Sequence, residues 1–150
     1  MRGCFMQDPE DLKVLIIDDD ADVRERLSSI LMRRGYVVLT AQDGLEGLNI
    51  VKDNAIDVIF CDIVMPKMDG LEFLNKVHEI TLRAQVIMVT GLPSVEWISE
   101  SIEKNAVEFM VKPLSIDDVF NSLNRAKGRL QERKVVFESA LEKMRMNHIL

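Results

Sequence analysis

A chain of 150 residues, 47% hydrophobic and 29% charged, has the size and composition of one globular domain with a small appendage. Its net charge of −6 argues against general nucleic-acid binding: residues 121–150 carry seven Lys/Arg against three Asp/Glu, which leaves −10 on the first 120. No apolar run approaches membrane-spanning length and the N-terminal MRGCFMQDPED lacks the apolar centre of a signal peptide, so a cytoplasmic location is expected.

In chain order, residues 1–11 read as an N-terminal arm. Short apolar runs rich in β-branched residues follow at 14–17, 36–39, 58–61, 86–89 and 107–111. They are too short for helices and too continuous for half-exposed strands, so they read as buried strands. Between them, apolar residues recur at spacings of three and four: Val23, Leu27, Ile30, Leu31; Leu45, Leu48, Val51; Leu71, Leu74, Val77; Val95, Ile98, Ile102. Each set predicts a helix with one apolar stripe. Asp20 suits the N-cap of the first helix, Gly35 its C-terminal end, and Ser115 to Asp118 form a capping box opening the fifth. Gly47 weakens the second helix slightly. Cys4 and Cys61 show neither metal-ligand spacing nor a disulfide framework and read as free thiols.

Five strand-then-helix units predict a doubly wound α/β fold, a five-stranded parallel sheet with helices on both faces. Ligands of such sheets bind at the carboxyl ends of the strands. That edge collects Asp18 and Asp19 after the first strand, Asp62 at the third, Thr90 at the fourth and Lys112 after the fifth. Singly, these residues are a cap, a loop acid, a strand-end hydroxyl and a surface lysine. Together they are a site. Three carboxylates repel one another, and an oxygen-rich cage of this kind suits a hard divalent cation such as Mg²⁺. With the cation and Lys112 in place, an incoming phosphoryl group meets positive charge and an aspartate oxygen able to attack it.

The segments VLIIDD, VIFCDIVMPKMDGLEFL, VIMVTG and FMVKPL carry a closer likeness. From about Leu12 to Arg129 the chain resembles the receiver domain of bacterial two-component response regulators. The resemblance implies a flavodoxin-like strand order 2-1-3-4-5 and a phosphoacceptor rather than an enzyme. Asp62 would take a phosphoryl group from a phosphohistidine on a sensor histidine kinase or histidine phosphotransfer protein. Mg²⁺, or Mn²⁺, would be held by Asp19, Asp62 and the backbone carbonyl of Val64, with Asp18 acting through water. Lys112 would hold phosphoryl oxygens, Thr90 and Phe109 would form the switch, and the Lys112–Pro113 bond would be cis. The fourth helix, fifth strand and fifth helix would carry the switch to partners, and Trp97, opposite the fourth helix's apolar stripe, is the expected exposed anchor there.

Three departures from the family pattern bear on behaviour. Phe109 replaces a frequent tyrosine, so switching must rest on packing. Asn105-Ala106 stands where Gly-Ala is common. Val64 and Leu92, two residues beyond Asp62 and Thr90, are apolar and cannot position water, which predicts a slowly hydrolysing phosphoaspartate. Among rivals, an FMN-binding flavodoxin-like protein needs a Ser/Thr/Gly-rich first loop where this chain has DDDADVR. A Mg²⁺-dependent aspartyl-nucleophile phosphohydrolase commonly has an acid where Val64 stands. A nucleic-acid binder would have only the basic tail.

Residues 130–150 read as a helical extension. Leu123, Leu130, Phe137 and Met144 are spaced by seven, with Arg133 interrupting the stripe. This reads as a homodimer helix or a linker, with a helix that packs back on its own domain or frays as the alternative. The tail is too short for a second folded domain, so a protein contact is the expected output.

Overall fold

The computed structural model describes residues 12–147, so the N-terminal arm and Cys4 lie outside the described residues. The elements are β1 (Lys13–Ile17), α1 (Ala21–Arg33), β2 (Val37–Ala41), α2 (Gly44–Asp53), β3 (Val58–Asp62), α3 (Gly70–Ile80), β4 (Gln85–Thr90), α4 (Val95–Glu103), β5 (Glu108–Val111) and α5 (Ile116–Met146). All strand pairs are parallel and the sheet order is β2-β1-β3-β4-β5. The predicted alternation of strands and helices is therefore the fold.

The central strands are apolar throughout because both faces are covered. Side chains alternate between faces. Leu15 and Ile17, Ile59 and Cys61, and Val86 and Met88 pack with Leu48, Leu71, Phe73, Leu74 and Val77 of α2 and α3. On the other face, Ile16, Phe60 and Val89 line a cavity with Val23 and Leu27 of α1. The expectation of five buried strands fails at the two edges. β2 and β5 are only partly buried, since each has a neighbour on one side alone. Tyr36 and Val107 also fall just outside the strands predicted to contain them.

The helix punctuation has visible causes. Asp20 caps α1 by accepting from Asp22 N–H, and Gly35 follows that helix at φ 88°, a left-handed conformation that glycine adopts freely. Asp43, Asp69 and Ser94 cap α2, α3 and α4, and Ser115 with Asp118 forms the capping box of α5. Gly47 has a packing reason: a Cβ there would press on Ile17 and Phe73. In α2, Leu48 and Val51 are buried but Leu45 is exposed, so the predicted stripe is narrower than its spacing suggests.

One expectation about the C-terminal half is corrected. Trp97 is not an exposed anchor; it packs against the core, while Val95 and Ile102 are 75% and 65% exposed. The helix turns its largest side chain inward, with Ser101 one turn later, because an indole buries more apolar surface than an isoleucine. α5 runs without a break across residues 129 and 130, and the chain forms two compact units, one ending at Leu114 and one beginning at Ser115. Within α5, Val119, Leu123 and Ala126 are buried, whereas Val135, Val136 and Phe137 are exposed.

Candidate functional site

Strand register explains how acids 44 residues apart meet. Ile17 pairs with Cys61, which sets the next residues, Asp18 and Asp62, side by side where both strands end. Asp19 follows in the turn to α1. One carboxylate oxygen from each of Asp18, Asp19 and Asp62 lies within 4.8 Å of the others. Asp18 and Asp62 are buried and Asp19 is exposed.

Lys112 reaches this cluster from the end of β5. Its ammonium donates to Asp18 Oδ2 at 2.7 Å and to Asp62 Oδ2 at 3.4 Å. Burial alone would lower the lysine's affinity for its proton, but the bond to Asp18 and the charges of Asp62 and Asp18 outweigh it and raise its pKa. Lys112 is thus a fixed cation. The peptide bond from Lys112 to Pro113 is cis.

Asp18 is saturated. Its Oδ1 accepts from Asp20 N–H at 2.9 Å, its Oδ2 accepts from Lys112, and its carbonyl accepts from Arg24 Nη1 at 2.6 Å. Asp62 is not. Burial, reinforced by the charge of Asp18, pushes its pKa up to about 6 despite Lys112. A carboxylate that is buried, crowded by like charge and loosely paired gains from an added cation, and a set of three carboxylate oxygens suits a hard one. The residues present therefore fit Mg²⁺.

A family model described as "Response regulator receiver domain" matches residues 14–124. The chain belongs to that family.

It is a receiver domain of the two-component response regulators, as its motifs led us to expect. The receiver is 32% identical over 114 residues to the chemotaxis protein CheY of Bacillus subtilis (strain 168), a match covering 75% of this chain and 95% of CheY. Among solved structures, a CheY-like receiver domain protein of Methanospirillum hungatei JF-1 superposes with a TM-score of 0.79 at 29% identity, over 81% of this chain and 98% of the other. A chain from the CheX–CheY–BeF3–Mg²⁺ complex of Borrelia burgdorferi superposes with a TM-score of 0.71 at 34% identity, over 75% of this chain and 86% of that one.

The remaining predicted residues of the receiver take these places. Thr90 is buried at the end of β4, and its hydroxyl accepts from Leu92 N–H at 3.1 Å. Phe109 is partly buried in β5 and packs against the core on the α2–α3 face. Val64 and Leu92 expose apolar side chains in the loops after β3 and β4. Asn105, the departure before β5, has φ 64°, a left-handed conformation that asparagine tolerates better than most residues and that explains its standing in for glycine.

Other residues shape the receiver's site without having announced themselves. Gly70 opens α3 directly behind Asp62: its N–H donates to Ile63 O at 2.7 Å, and any Cβ would overlap the Asp62 carbonyl oxygen. Lys67, at φ 66°, pairs with the buried Asp43 at 3.5 Å and so ties the β3–α3 loop to the start of α2. The sequence did show Gly70 inside the MPKMDG stretch, but its close approach to the carbonyl that ends β3 depends on tertiary packing. A cavity of about 400 Å³, mostly apolar in its lining, includes Asp18, Asp62 and Lys112 in its wall.

Proposed function

We propose that Asp62 is the phosphoacceptor of this receiver, taking its phosphoryl group from a phosphohistidine on a sensor histidine kinase or histidine phosphotransfer protein. The carrying observation is the ammonium of Lys112 held between Asp18 and Asp62 beside a third carboxylate. An Asp62 oxygen attacks phosphorus, the P–N bond of the donor breaks, and the imidazole leaves with the bonding pair and takes up a proton. The nucleophile is the ionised carboxylate, which a pKa of about 6 leaves dominant at pH 7.5. Asp18 keeps Lys112 charged and in place, and Lys112 offsets the charge of the arriving oxygens.

Bound Mg²⁺ (or Mn²⁺) would be held by Asp19, Asp62 and the Val64 carbonyl, with Asp18 acting through water, and would supply further neutralisation of the phosphoryl oxygens. The presence of BeF3 and Mg²⁺ in the Borrelia burgdorferi complex supports this choice. On phosphorylation, Thr90 exchanges its bond to Leu92 N–H for a phosphoryl oxygen, and Phe109 repacks into the space it leaves. Val64 and Leu92 offer no group to orient water, so the phosphoaspartate is long-lived. The chain acts as a phosphoacceptor with at most slow autodephosphorylation, in the cytoplasm.

Output passes through a protein contact. The exposed Val95 and Ile102 on α4 and Val111 on β5 give an apolar surface suited to a partner, and residues 130–146, with Phe137 64% exposed, serve as a dimer helix or linker beyond a receiver of residues 12–129. Intact mass after incubation with acetyl phosphate and MgCl2 tests the central reading. One phosphoryl adduct is expected, absent in Asp62→Asn. An adduct that survives that substitution, or none on the wild-type chain, would refute it.

A further inference from the structure

Asp19 is the member of the acidic cluster with the least to hold it. Its carboxylate is exposed and has no hydrogen bond or ion pair among the described residues, yet it lies within ligand distance of Asp18 and Asp62. Its position is therefore set by the backbone of the turn between β1 and α1. Three bonds on either side of it close that turn. Asp18 N–H donates to Ala41 O at 3.1 Å, Asp20 N–H donates to Asp18 Oδ1 at 2.9 Å, and Arg24 Nη1 donates to Asp18 O at 2.6 Å. The last is charge-assisted, is the shortest of the three, and falls on the very peptide that leads into Asp19.

We propose that Arg24 is a positioning residue of the cation site: by gripping the Asp18 carbonyl from the first turns of α1, its guanidinium fixes the peptide that carries Asp19 to Asp62. This rests on reading Asp19 and Asp62 as ligands of a divalent cation. A side chain that orients a ligand without touching the ion commonly changes metal affinity by about 10- to 100-fold when removed.

Charge and geometry give opposite signs here, which makes the inference testable. Arg24 is a cation near three carboxylates, so by charge alone its removal tightens Mg²⁺ binding. If it positions Asp19, its removal weakens binding. Calorimetric titration of the full chain with MgCl2 reads the sign, alongside the melting temperature of each variant. Arg24→Ala is expected to bind Mg²⁺ about tenfold more weakly while still folded at the assay temperature. Its adduct formation from acetyl phosphate should recover at saturating MgCl2. Arg24→Lys, which keeps the charge and one donor, should fall between it and wild type. Arg33→Ala, which removes the same charge at the far end of α1, should bind as wild type or slightly more tightly.

Unchanged or tighter binding in Arg24→Ala would overturn the inference while leaving the cation site intact. Wild-type protein that bound no Mg²⁺, or Asp19→Asn that bound it as wild type does, would instead overturn the ligand assignment beneath it. If Arg24→Ala melts below the assay temperature, Arg24→Gln takes its place, with the same expected loss.

Discussion

Two buried aspartates stand at opposite ends of β3, and their surroundings differ in a way that separates a fully bonded carboxylate from an under-satisfied one. Asp57, just before the strand and 3% exposed, accepts from Lys13 N–H at 2.9 Å and from Arg83 Nε and Nη2 at 3.0 and 2.7 Å. Asp62, at the other end and 8% exposed, has a single long contact to Lys112 at 3.4 Å and the charge of Asp18 beside it. Burial is nearly the same. Hydrogen bonding is not. A saturated carboxylate has its lone pairs committed and is inert, whereas an under-satisfied one keeps oxygens free for a cation and an electrophile.

Phosphate acceptance should separate the two acids most strongly. Asp62→Asn should lose the acetyl phosphate adduct completely and Asp57→Asn should retain it, both read by intact mass. An adduct that depended on Asp57 would erase the distinction. Next in size is Gly70→Ala, whose added methyl collides with the Asp62 carbonyl. A loss of about 3 kcal/mol in urea unfolding is expected, because backbone rather than a flexible side chain must yield.

Asp57→Ala should cost about 2 kcal/mol in the same measurement, since it leaves Lys13 N–H without its acceptor and Arg83 without its partner. Adduct formation at saturating MgCl2 should survive it. The smallest effect has the opposite sign. Asp62 binds its proton more tightly folded than unfolded, so folding stability falls as pH rises from about 4 to about 6, and the full cost of the ionised group is present above that window. Asp62→Asn should therefore be more stable than wild type by about 1–2 kcal/mol at pH 7.5 in EDTA, with the gain shrinking toward zero by pH 3.5. A variant no more stable at pH 7.5 would show that Lys112 satisfies Asp62 as fully as Arg83 satisfies Asp57.

Much of the site was legible because its residues sit at strand ends, and strand ends can be read from local apolar runs. Asp18, Asp62, Thr90 and Lys112 were placed on one edge by that rule alone, and the acids and lysine do meet there. What escaped depends on contacts between elements. The pattern of α4 showed a stripe of Val95, Ile98 and Ile102, but a stripe does not say which way a helix will turn when a tryptophan competes for the same core. Asp57 and Arg83 are 26 residues apart and share no local pattern. No local pattern marks Arg24, whose guanidinium turns back on the Asp18 carbonyl only in the folded chain.

Local sequence was enough for the alternation of five strands and five helices, the caps of α1 and α5, and the residue types delivered to the carboxyl edge. These are properties of periodicity and short-range hydrogen bonding, which span only a few residues. The partners of those residues came from tertiary packing: register set Asp18 beside Asp62, a close helix start demanded Gly70, and Asp57 was satisfied while Asp62 was left wanting. The physical reason is that a carboxylate's reactivity is a difference between the bonds it has and those it lacks. Those bonds come from distant parts of the chain that meet only on folding.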